Sequence, residues 1–331
     1  MIVFSITIFF FNLIIFMNYK KISKLYNLFD YPDHQRKKHK NPTPLFGGLA
    51  ILSNIFLYCL VDYFDLIELN FFQNKSDILI FFVFSFLFFF IGFIDDKYSI
   101  SPNLKFLNYI VLITFLMFLD NDLIINIINF SFSSLILNLN NFSFFFTILC
   151  FLLFINSYNM LDGINGQAAS YTIYILTIFL FLNINIILTI TLIITILFFL
   201  YFNFKDKMFL GDSGTILMGF VLSYFFIKSH NMGTNIYSDE IFLIMMIPGF
   251  ELVRLAFQRL YKKKHPFRPD NNHLHHLLIK KMDFLDCYLI IQFMLIFPYI
   301  FYLITLNSIL SLIVSTIFYS LSFILVSKNN K

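Results

Sequence analysis

Long apolar runs separated by short polar segments recur along the whole chain. Many of the runs are about 17 to 20 residues long, which is the length that a helix needs to cross a bilayer. The pattern predicts an all-α polytopic membrane protein with about eleven transmembrane helices. The predicted spans are residues 2–17, 45–63, 77–94, 103–119, 142–158, 167–183, 185–203, 212–228, 240–259, 284–304 and 308–326.

The polar segments between the predicted spans are short. Of the 331 residues, 59% are hydrophobic and 13% are charged. The longest polar segments, near 18–44 and 260–283, are too short to bury a core of their own. Residues 1–331 are therefore predicted to form a single integral-membrane domain with its chemistry in loops and helix ends. Residues 120–141, where Asn and Ser interrupt the apolar pattern, are predicted to form a hairpin on the outer face.

Basic residues concentrate on one side of the predicted membrane topology. With the N-terminus outside, 21 of the 23 Lys and Arg residues flank the inner ends of the spans, and Lys75 and Lys228 lie outside. Loops that stay in the cytoplasm carry such an excess of basic residues. We therefore expect an outer N-terminus and a cytoplasmic C-terminus.

The stretch NSYNMLDGING interrupts an apolar helix with polar residues. Asn156 and Asn159 lie three residues apart and share a face if the helix continues. Asp162 follows near the helix C-terminus, where the helix dipole disfavours a carboxylate. The pattern indicates a site for a cation or a polar ligand, with a polar turn between helices as the alternative.

Two further acidic motifs lie on the same predicted side. Asp95 and Asp96 end the third span, and their mutual repulsion calls for a divalent cation or for a Lys partner such as Lys97 or Lys105. Asp212, in FLGDSGT, starts another span, and a simple N-capping role is its alternative reading.

The remaining two motifs are basic. RKKHKNPTPLFGG precedes the second span and is either a substrate-binding element or an ordinary cytoplasmic loop that attracts anionic lipid. In PDNNHLHH, a helix starting near Asn272 would place His273 and His276 on one face, able to bind phosphate oxygens or a metal. A solvated loop is the alternative.

Taken together, the five motifs place carboxylates, carboxamides, His, Lys and Arg on one predicted face. The carboxylates suggest a hard cation such as Mg²⁺, and the basic groups suggest phosphates. The combination favours phosphoryl transfer at the membrane surface. A transporter with an Asp and His relay is the rival, but it would need ionisable residues near span centres. An inactive membrane scaffold is a third reading.

In their order along the chain, these motifs resemble the polyprenyl-phosphate N-acetylhexosamine-1-phosphate transferases of glycosyltransferase family 4. This family includes the undecaprenyl-phosphate GlcNAc-1-phosphate transferases and, more distantly, the phospho-MurNAc-pentapeptide transferase. The likeness covers about residues 30–280. It implies transfer of a sugar-1-phosphate from a UDP-sugar to polyprenyl phosphate, with release of UMP, in the inner (plasma) membrane of a bacterium. The implied partners are the two substrates and the lipid bilayer, with no nucleic acid, and a homodimer is left open.

The resemblance also implies roles for individual residues. Asp95, Asp96 and Lys105 would be catalytic, with the two acids serving Mg²⁺, or Mn²⁺ as a substitute, and the acceptor phosphate. Asp212 would be the main metal ligand, with Asp95 as a second one. The residues expected to bind the nucleotide sugar are Asn156, Asn159, Asp162, His273, His275 and His276. Arg36, Lys37 and His39 match the basic element of the family.

Three departures from the family pattern stand out. Asn165 stands where many members carry a second acid, which puts the function of that acid in doubt here. Glu251 stands where many members have Asp. HLHH is closer to the branch that initiates polysaccharides than to the His triplet of the peptidoglycan branch, and this makes the pentapeptide substrate the weaker alternative.

Overall fold

The computed structural model describes residues 2–32, 41–67, 71–233, 236–263 and 272–328. These residues contain the helices α1 (Ile2–Met17), α2 (Tyr19–Leu25), α3 (Gly47–Tyr63), α4 (Lys75–Tyr98), α5 (Pro102–Leu119), α6 (Ser143–Leu161), α7 (Gln167–Phe181), α8 (Ile186–Asn203), α9 (Gly211–Asn231), α10 (Ser238–Tyr261), α11 (Leu274–Leu278), α12 (Phe284–Thr305) and α13 (Ser308–Lys328). They also contain the strands β1 (Phe29–Asp30), β2 (Thr43–Pro44), β3 (Ile127–Asn129) and β4 (Ile136–Asn138).

Every predicted span coincides with a helix whose ends differ by a few residues. Six of these helices, α4, α5, α6, α8, α12 and α13, are long and apolar enough to cross a membrane on their own. The pair α1 and α2, bent by 64°, would provide a seventh crossing. The chain is therefore a mostly helical polytopic membrane protein, while the number of crossings and their direction stay predictions.

The interrupted segment between α5 and α6 forms the predicted hairpin. Strands β3 and β4 pair antiparallel, with Ile128 opposite Leu137, and a 3₁₀ turn lies at each end of the segment, at Asn121–Leu123 and Asn140–Phe142. The Asn and Ser residues that break the apolar run thus lie in a turn structure. The side of the membrane on which the hairpin lies stays a prediction.

Helix α9 forms the centre of the fold. All its residues from Ser213 to His230 are buried, and α3, α4 and α6 pack around it. Small residues allow close approach, since a Cβ on Gly219 would lie 3.0 Å from Cα of Ile155 in α6. Large rings fill the remaining space, and the Phe88 and Phe220 rings stack with their centroids 4.4 Å apart. The packing of α9 therefore determines where Asp212, in the first turn of this helix, lies.

A buried ion pair holds the other end of α9. Lys228 Nζ lies 2.8 Å from Oδ2 of Asp120, and the Tyr224 hydroxyl donates to the same oxygen at 3.0 Å. Lys228 is fully buried and Asp120 is 5% exposed. One of the two basic residues that the topology placed outside is thus neutralised within the protein. Such a pair is stable only while both charges are present.

A proline interrupts the hydrogen bonding of α10. Pro248 has no N–H, so the carbonyl of Ile244 lacks its usual partner in the helix. The Tyr171 hydroxyl of α7 donates to that carbonyl instead. This contact anchors α10 against α7 about two turns before Glu251.

Candidate active site

The N-terminus of α9 is held by an aspartate from α4. Asp96 Oδ1 accepts a hydrogen bond from the Asp212 amide at 2.8 Å, and its Oδ2 accepts one from the Ser213 amide at 3.0 Å. The first amides of a helix have no acceptor within the helix, and a carboxylate there also stabilises the helix dipole. Asp96 therefore fixes the backbone from which the Asp212 side chain extends.

Glycines allow the helices to meet this closely. Gly211 has φ of +74°, a left-handed conformation that glycine adopts at little cost, and a Cβ there would lie 2.8 Å from Asp96 Oδ2. A Cβ on Gly48 of α3 would lie 2.6 Å from the amide nitrogen of Gly214. The glycines of two predicted motifs thus serve one purpose, the close approach of α3 and α4 to the start of α9.

Lys105 connects the carboxylates of Asp95 and Asp212. Its ammonium group forms an ion pair with Asp95 Oδ2 and lies 3.7 Å from Asp212 Oδ2. Asp95 Oδ1 accepts a 2.7 Å hydrogen bond from the Ile100 amide, in the turn that leads to α5. The side chain of Asp95 is 7% exposed and that of Asp212 is 36% exposed. Asp212 is therefore the acid that a ligand reaches.

Asn156 and Asn159, the two predicted site asparagines of NSYNMLDGING, make different contacts. Helix α6 continues to Leu161, as their shared face requires. Asn159 Nδ2 donates to Asp212 Oδ1 at 2.9 Å, whereas Asn156 Nδ2 donates to the Leu152 carbonyl of its own helix at 2.7 Å. Asp162 is the residue that ends α6, as predicted, and its exposed carboxyl group interacts electrostatically with Asp212. The motif thus brings a further carboxylate to the edge of the site.

Asn165, which stands where an acid was expected, is paired with an acid from another loop. Its Nδ2 donates to Asp206 Oδ1 at 2.5 Å. The neighbouring Gly166 amide donates to Asn203 Oδ1 at 2.6 Å, so the loop after α6 is attached to the end of α8. An acid at position 165 would face Asp206 with like charge. The carboxamide is therefore the residue that suits this pairing.

The three histidines form one cluster at α11. The ring centroids of His275 and His276 are 4.3 Å apart, and that of His273 lies 5.2 Å from His275. His275 is 5% exposed and lies against Gly163, where a Cβ would collide with its imidazole ring. Burial, with added effects of His276 and His273, holds the pKa of His275 well below its ordinary value. His275 is thus a neutral imidazole beside the Asp162 loop.

Tyr109 is a site residue that the sequence analysis missed. It lies one helical turn after Lys105 on α5, close enough to Asp212 and Asp95 for their charges to act on it. Its hydroxyl group is buried and has no hydrogen-bond partner within the described residues. The spacing of four residues from Lys105 was the available signal, but one tyrosine does not stand out in a chain that is 21% aromatic.

The structure describes only part of the motif RKKHKNPTPLFGG. Arg36, Lys37 and His39 lie outside the described residues. Its last residues attach α3 to the loop before α9, since the Phe209 amide donates to the Pro44 carbonyl at 2.9 Å. The described parts of four motifs therefore meet around the start of α9, and the histidine motif contacts one of these four at Gly163.

The carboxylates could share a cation with phosphate groups. Among the residues that the structure describes, no group of three or more His, Cys, Asp or Glu side chains is arranged to hold a metal ion. Asp212 supplies a hard oxygen donor that a ligand can reach, whereas both oxygens of Asp95 are engaged by Lys105 and by the Ile100 amide. Mg²⁺ is commonly bound by one or two carboxylates together with substrate phosphates. The donor set therefore fits such an ion.

Comparison with known sequences agrees with this arrangement. The sequence model of glycosyl transferase family 4 matches residues 78–230, which include the Asp95, Asp162 and Asp212 motifs. Over this region the chain is similar to glycosyl transferase family 4. The undecaprenyl-phosphate alpha-N-acetylglucosaminyl 1-phosphate transferase of Escherichia coli K12 is 27% identical over 288 residues, which cover 83% of this chain and 75% of that protein.

More distant relatives agree over the same region. The probable undecaprenyl-phosphate N-acetylglucosaminyl 1-phosphate transferase of Bacillus subtilis is 26% identical, over 82% of this chain and 76% of that protein. The undecaprenyl-phosphate alpha-N-acetylglucosaminyl 1-phosphate transferase of Yersinia pestis is 24% identical, over 83% and 76% of the two chains. The matches extend well beyond the family region. The resemblance inferred from the five motifs is thus confirmed.

Proposed function

We propose that this protein transfers an N-acetylhexosamine 1-phosphate from a UDP-sugar to undecaprenyl phosphate and releases UMP. The reaction would initiate the synthesis of a cell-envelope polysaccharide. The observation that carries the proposal is the meeting of Asp95, Lys105, Asn159 and Asp212 at the start of α9, in a chain whose relatives are named for this type of transfer.

The proposed reaction forms and breaks one P–O bond. An oxygen of the lipid phosphate attacks the sugar-linked phosphorus of the donor, and the bond from that phosphorus to the oxygen bridging to UMP breaks. The lipid then carries a diphosphate linked to the sugar. Both oxygens of Asp96 accept hydrogen bonds from amides of α9. One oxygen of Asp95 forms the ion pair with Lys105, and the other accepts a hydrogen bond from the Ile100 amide. This occupancy favours direct attack by the lipid phosphate over a covalent intermediate on either acid.

The residues of the site would divide the work by charge. Lys105 would bind the acceptor phosphate and stabilise negative charge in the transition state, while neutral His275 and its neighbours donate hydrogen bonds to the donor diphosphate. Asn159 would orient the Asp212 carboxylate through its 2.9 Å hydrogen bond. Asp212 would hold Mg²⁺, and the ion when bound would neutralise phosphate charge.

The site would face the cytoplasm of a bacterium. The excess of Lys and Arg beside the five motifs supports this orientation. A cytoplasmic site can receive a soluble nucleotide sugar, and the membrane-embedded helices can receive the lipid chain. These features support the proposal of a multi-pass enzyme of the plasma membrane.

The proposal is tested with purified protein in detergent or lipid. Undecaprenyl phosphate, Mg²⁺ and each member of a panel of UDP-N-acetylhexosamines are supplied, and UMP and lipid-linked sugar are measured. We expect turnover with at least one donor, dependent on lipid and abolished by EDTA. Asp212→Asn should retain membrane insertion and lose turnover. A folded protein without turnover on any donor would refute the proposed function.

A further inference from the structure

Glu251 of α10 contacts the segment that carries the histidine cluster. Its Oε1 accepts a 2.8 Å hydrogen bond from the amide of Leu274, the first residue of α11. Its Oε2 accepts a 2.7 Å hydrogen bond from the Tyr319 hydroxyl of α13. A carboxylate that accepts the first amide of a helix fixes where that helix begins. Glu251 therefore connects α10 and α13 to the segment that carries the histidines.

Arg254 holds the peptide group just before the cluster. Its guanidinium binds both oxygens of Glu251, at 2.6 and 2.9 Å, and Nη2 also donates to the Asn272 carbonyl at 2.8 Å. The side chains of Glu251 and Arg254 are 13% and 15% exposed. The guanidinium also lies 4.4 Å from the centroid of the Phe323 ring. This bidentate pair thus grips the backbone on both sides of His273.

The other end of α11 is held as well. The backbone carbonyl of His275 lies 3.8 Å from the Cys287 sulfur, and Lys281 Nζ lies 3.4 Å from the Leu325 carbonyl of α13. With five residues, α11 is too short to keep its conformation without such tertiary contacts. Its location against Gly163 therefore depends on the elements that hold its ends.

We infer that Glu251 and Arg254 are positioning residues that fix the histidine cluster against the Asp162 loop. Neither residue needs to touch substrate for this role. The α10 and α13 elements then determine the reactivity of a site formed mainly by α4, α5, α6 and α9. The catalytic consequence rests on the proposed function, whereas the structural consequence does not.

The test compares Glu251→Gln with Glu251→Asp and with Glu240→Gln. The glutamine keeps the size of the side chain and removes the charge that binds Arg254, whereas aspartate keeps the charge. Glu240 is a matched control, because it is a buried glutamate near the opposite end of α10 and accepts the Tyr237 amide. We expect kcat to fall about 10- to 100-fold in Glu251→Gln, the range for loss of a partner that orients a functional ligand. KM for the lipid should change little.

A second readout is independent of catalysis. Diethyl pyrocarbonate modifies accessible histidines, and the modification of His275 in folded protein is followed by mass spectrometry. We expect faster modification in Glu251→Gln, and rates near wild type in Glu251→Asp and Glu240→Gln. Tyr319→Phe removes one hydrogen bond to Glu251 and should produce a smaller change in the same direction, which provides a milder variant if Glu251→Gln does not fold.

The outcomes separate the two proposals. Unchanged modification of His275 in folded Glu251→Gln would overturn the positioning role, whatever happens to kcat. A loss of activity that Glu251→Asp fails to restore would also overturn it. Faster modification in a protein whose wild type has no turnover would support the positioning role and refute the proposed function.

Discussion

Replacing Lys105 with Gln should reveal how much the site depends on one ammonium group. Lys105 is the residue that separates Asp95 from Asp212, with an ion pair to the first and a distance of 3.7 Å to the second. The glutamine keeps most of the side-chain volume but not the charge. Two carboxylates would then face each other without their compensating cation.

The magnitude follows from the burial of the three groups. Asp95 is 7% exposed and Lys105 is 19% exposed, so their pair resembles a buried one, for which removing one partner costs about 3 to 5 kcal/mol. The pair with Asp212, whose side chain is 36% exposed, adds at most about 1 kcal/mol. If about 3 kcal/mol of this interaction is expressed in the transition state, the rate falls about 100-fold, since about 1.4 kcal/mol is a factor of ten.

The assay is lipid-linked sugar formation at saturating donor over a series of Mg²⁺ concentrations. Lys97→Gln is the control, because Lys97 is exposed and lies over the Phe93 ring 4.5 Å from its centroid. This variant should keep near wild-type activity. A folded Lys105→Gln protein that retains more than about a third of wild-type turnover would contradict the electrostatic account, because less than about 1 kcal/mol would then be at stake.

Four further predictions concern other parts of the molecule. Asp120→Asn should lower the free energy of unfolding by about 3 kcal/mol or more, because it leaves Lys228 buried without its counter-charge. In thermal unfolding, the double variant Asp120→Asn with Lys228→Met should lose less stability than the sum of the losses in the two single variants. Additive losses would argue against coupling between the two residues. Gly163→Ala should displace the ring of His275, at a cost of about 1 to 3 kcal/mol for overpacking, and lower turnover; a crystal structure with the ring in place would contradict this. Burial and the neighbouring histidines lower the folded-state pKa of His275, so its contribution to stability is present above the unfolded pKa of about 6.5 and is lost as the pH falls toward the folded pKa. The melting temperature should therefore fall more steeply between pH 7 and 5 in wild type than in His275→Gln. Parallel curves would refute this role of His275. Tyr109→Phe removes the buried hydroxyl group near the acids and should lower turnover without lowering the melting temperature; unchanged turnover would remove Tyr109 from the site.

The positions of the helices could be predicted because membrane spans have a strong local signal. A span needs a long apolar run, and each predicted run is a helix in the structure. The ends were less predictable. Helix α4 was expected to stop at residue 94, but it continues through the acidic pair to Tyr98. Lys105 compensates the charge of Asp95, and the amides of α9, which are distant in sequence, compensate the charge of Asp96.

The membership of the site could be predicted, but the division of roles within it could not. The motifs indicated which residues meet, and Asp95, Lys105, Asn159 and Asp212 do so. Adjacent in sequence, Asp95 and Asp96 looked alike. They differ because successive residues on a helix point in different directions, so one carboxylate meets Lys105 and the other meets the start of α9. The contacts of Glu251 with Leu274 and Tyr319 likewise join residues far apart in the chain.

The central claim, that a phosphorylated sugar is transferred to a lipid phosphate, is tested most directly by following one phosphorus atom. The donor that supports turnover is prepared with ³²P in the phosphate attached to the sugar, and the products are separated into lipid and aqueous fractions. The account predicts that the label enters the lipid in step with unlabelled UMP release. Label that remains in soluble UDP while sugar enters the lipid would show transfer of the sugar alone and would contradict the account.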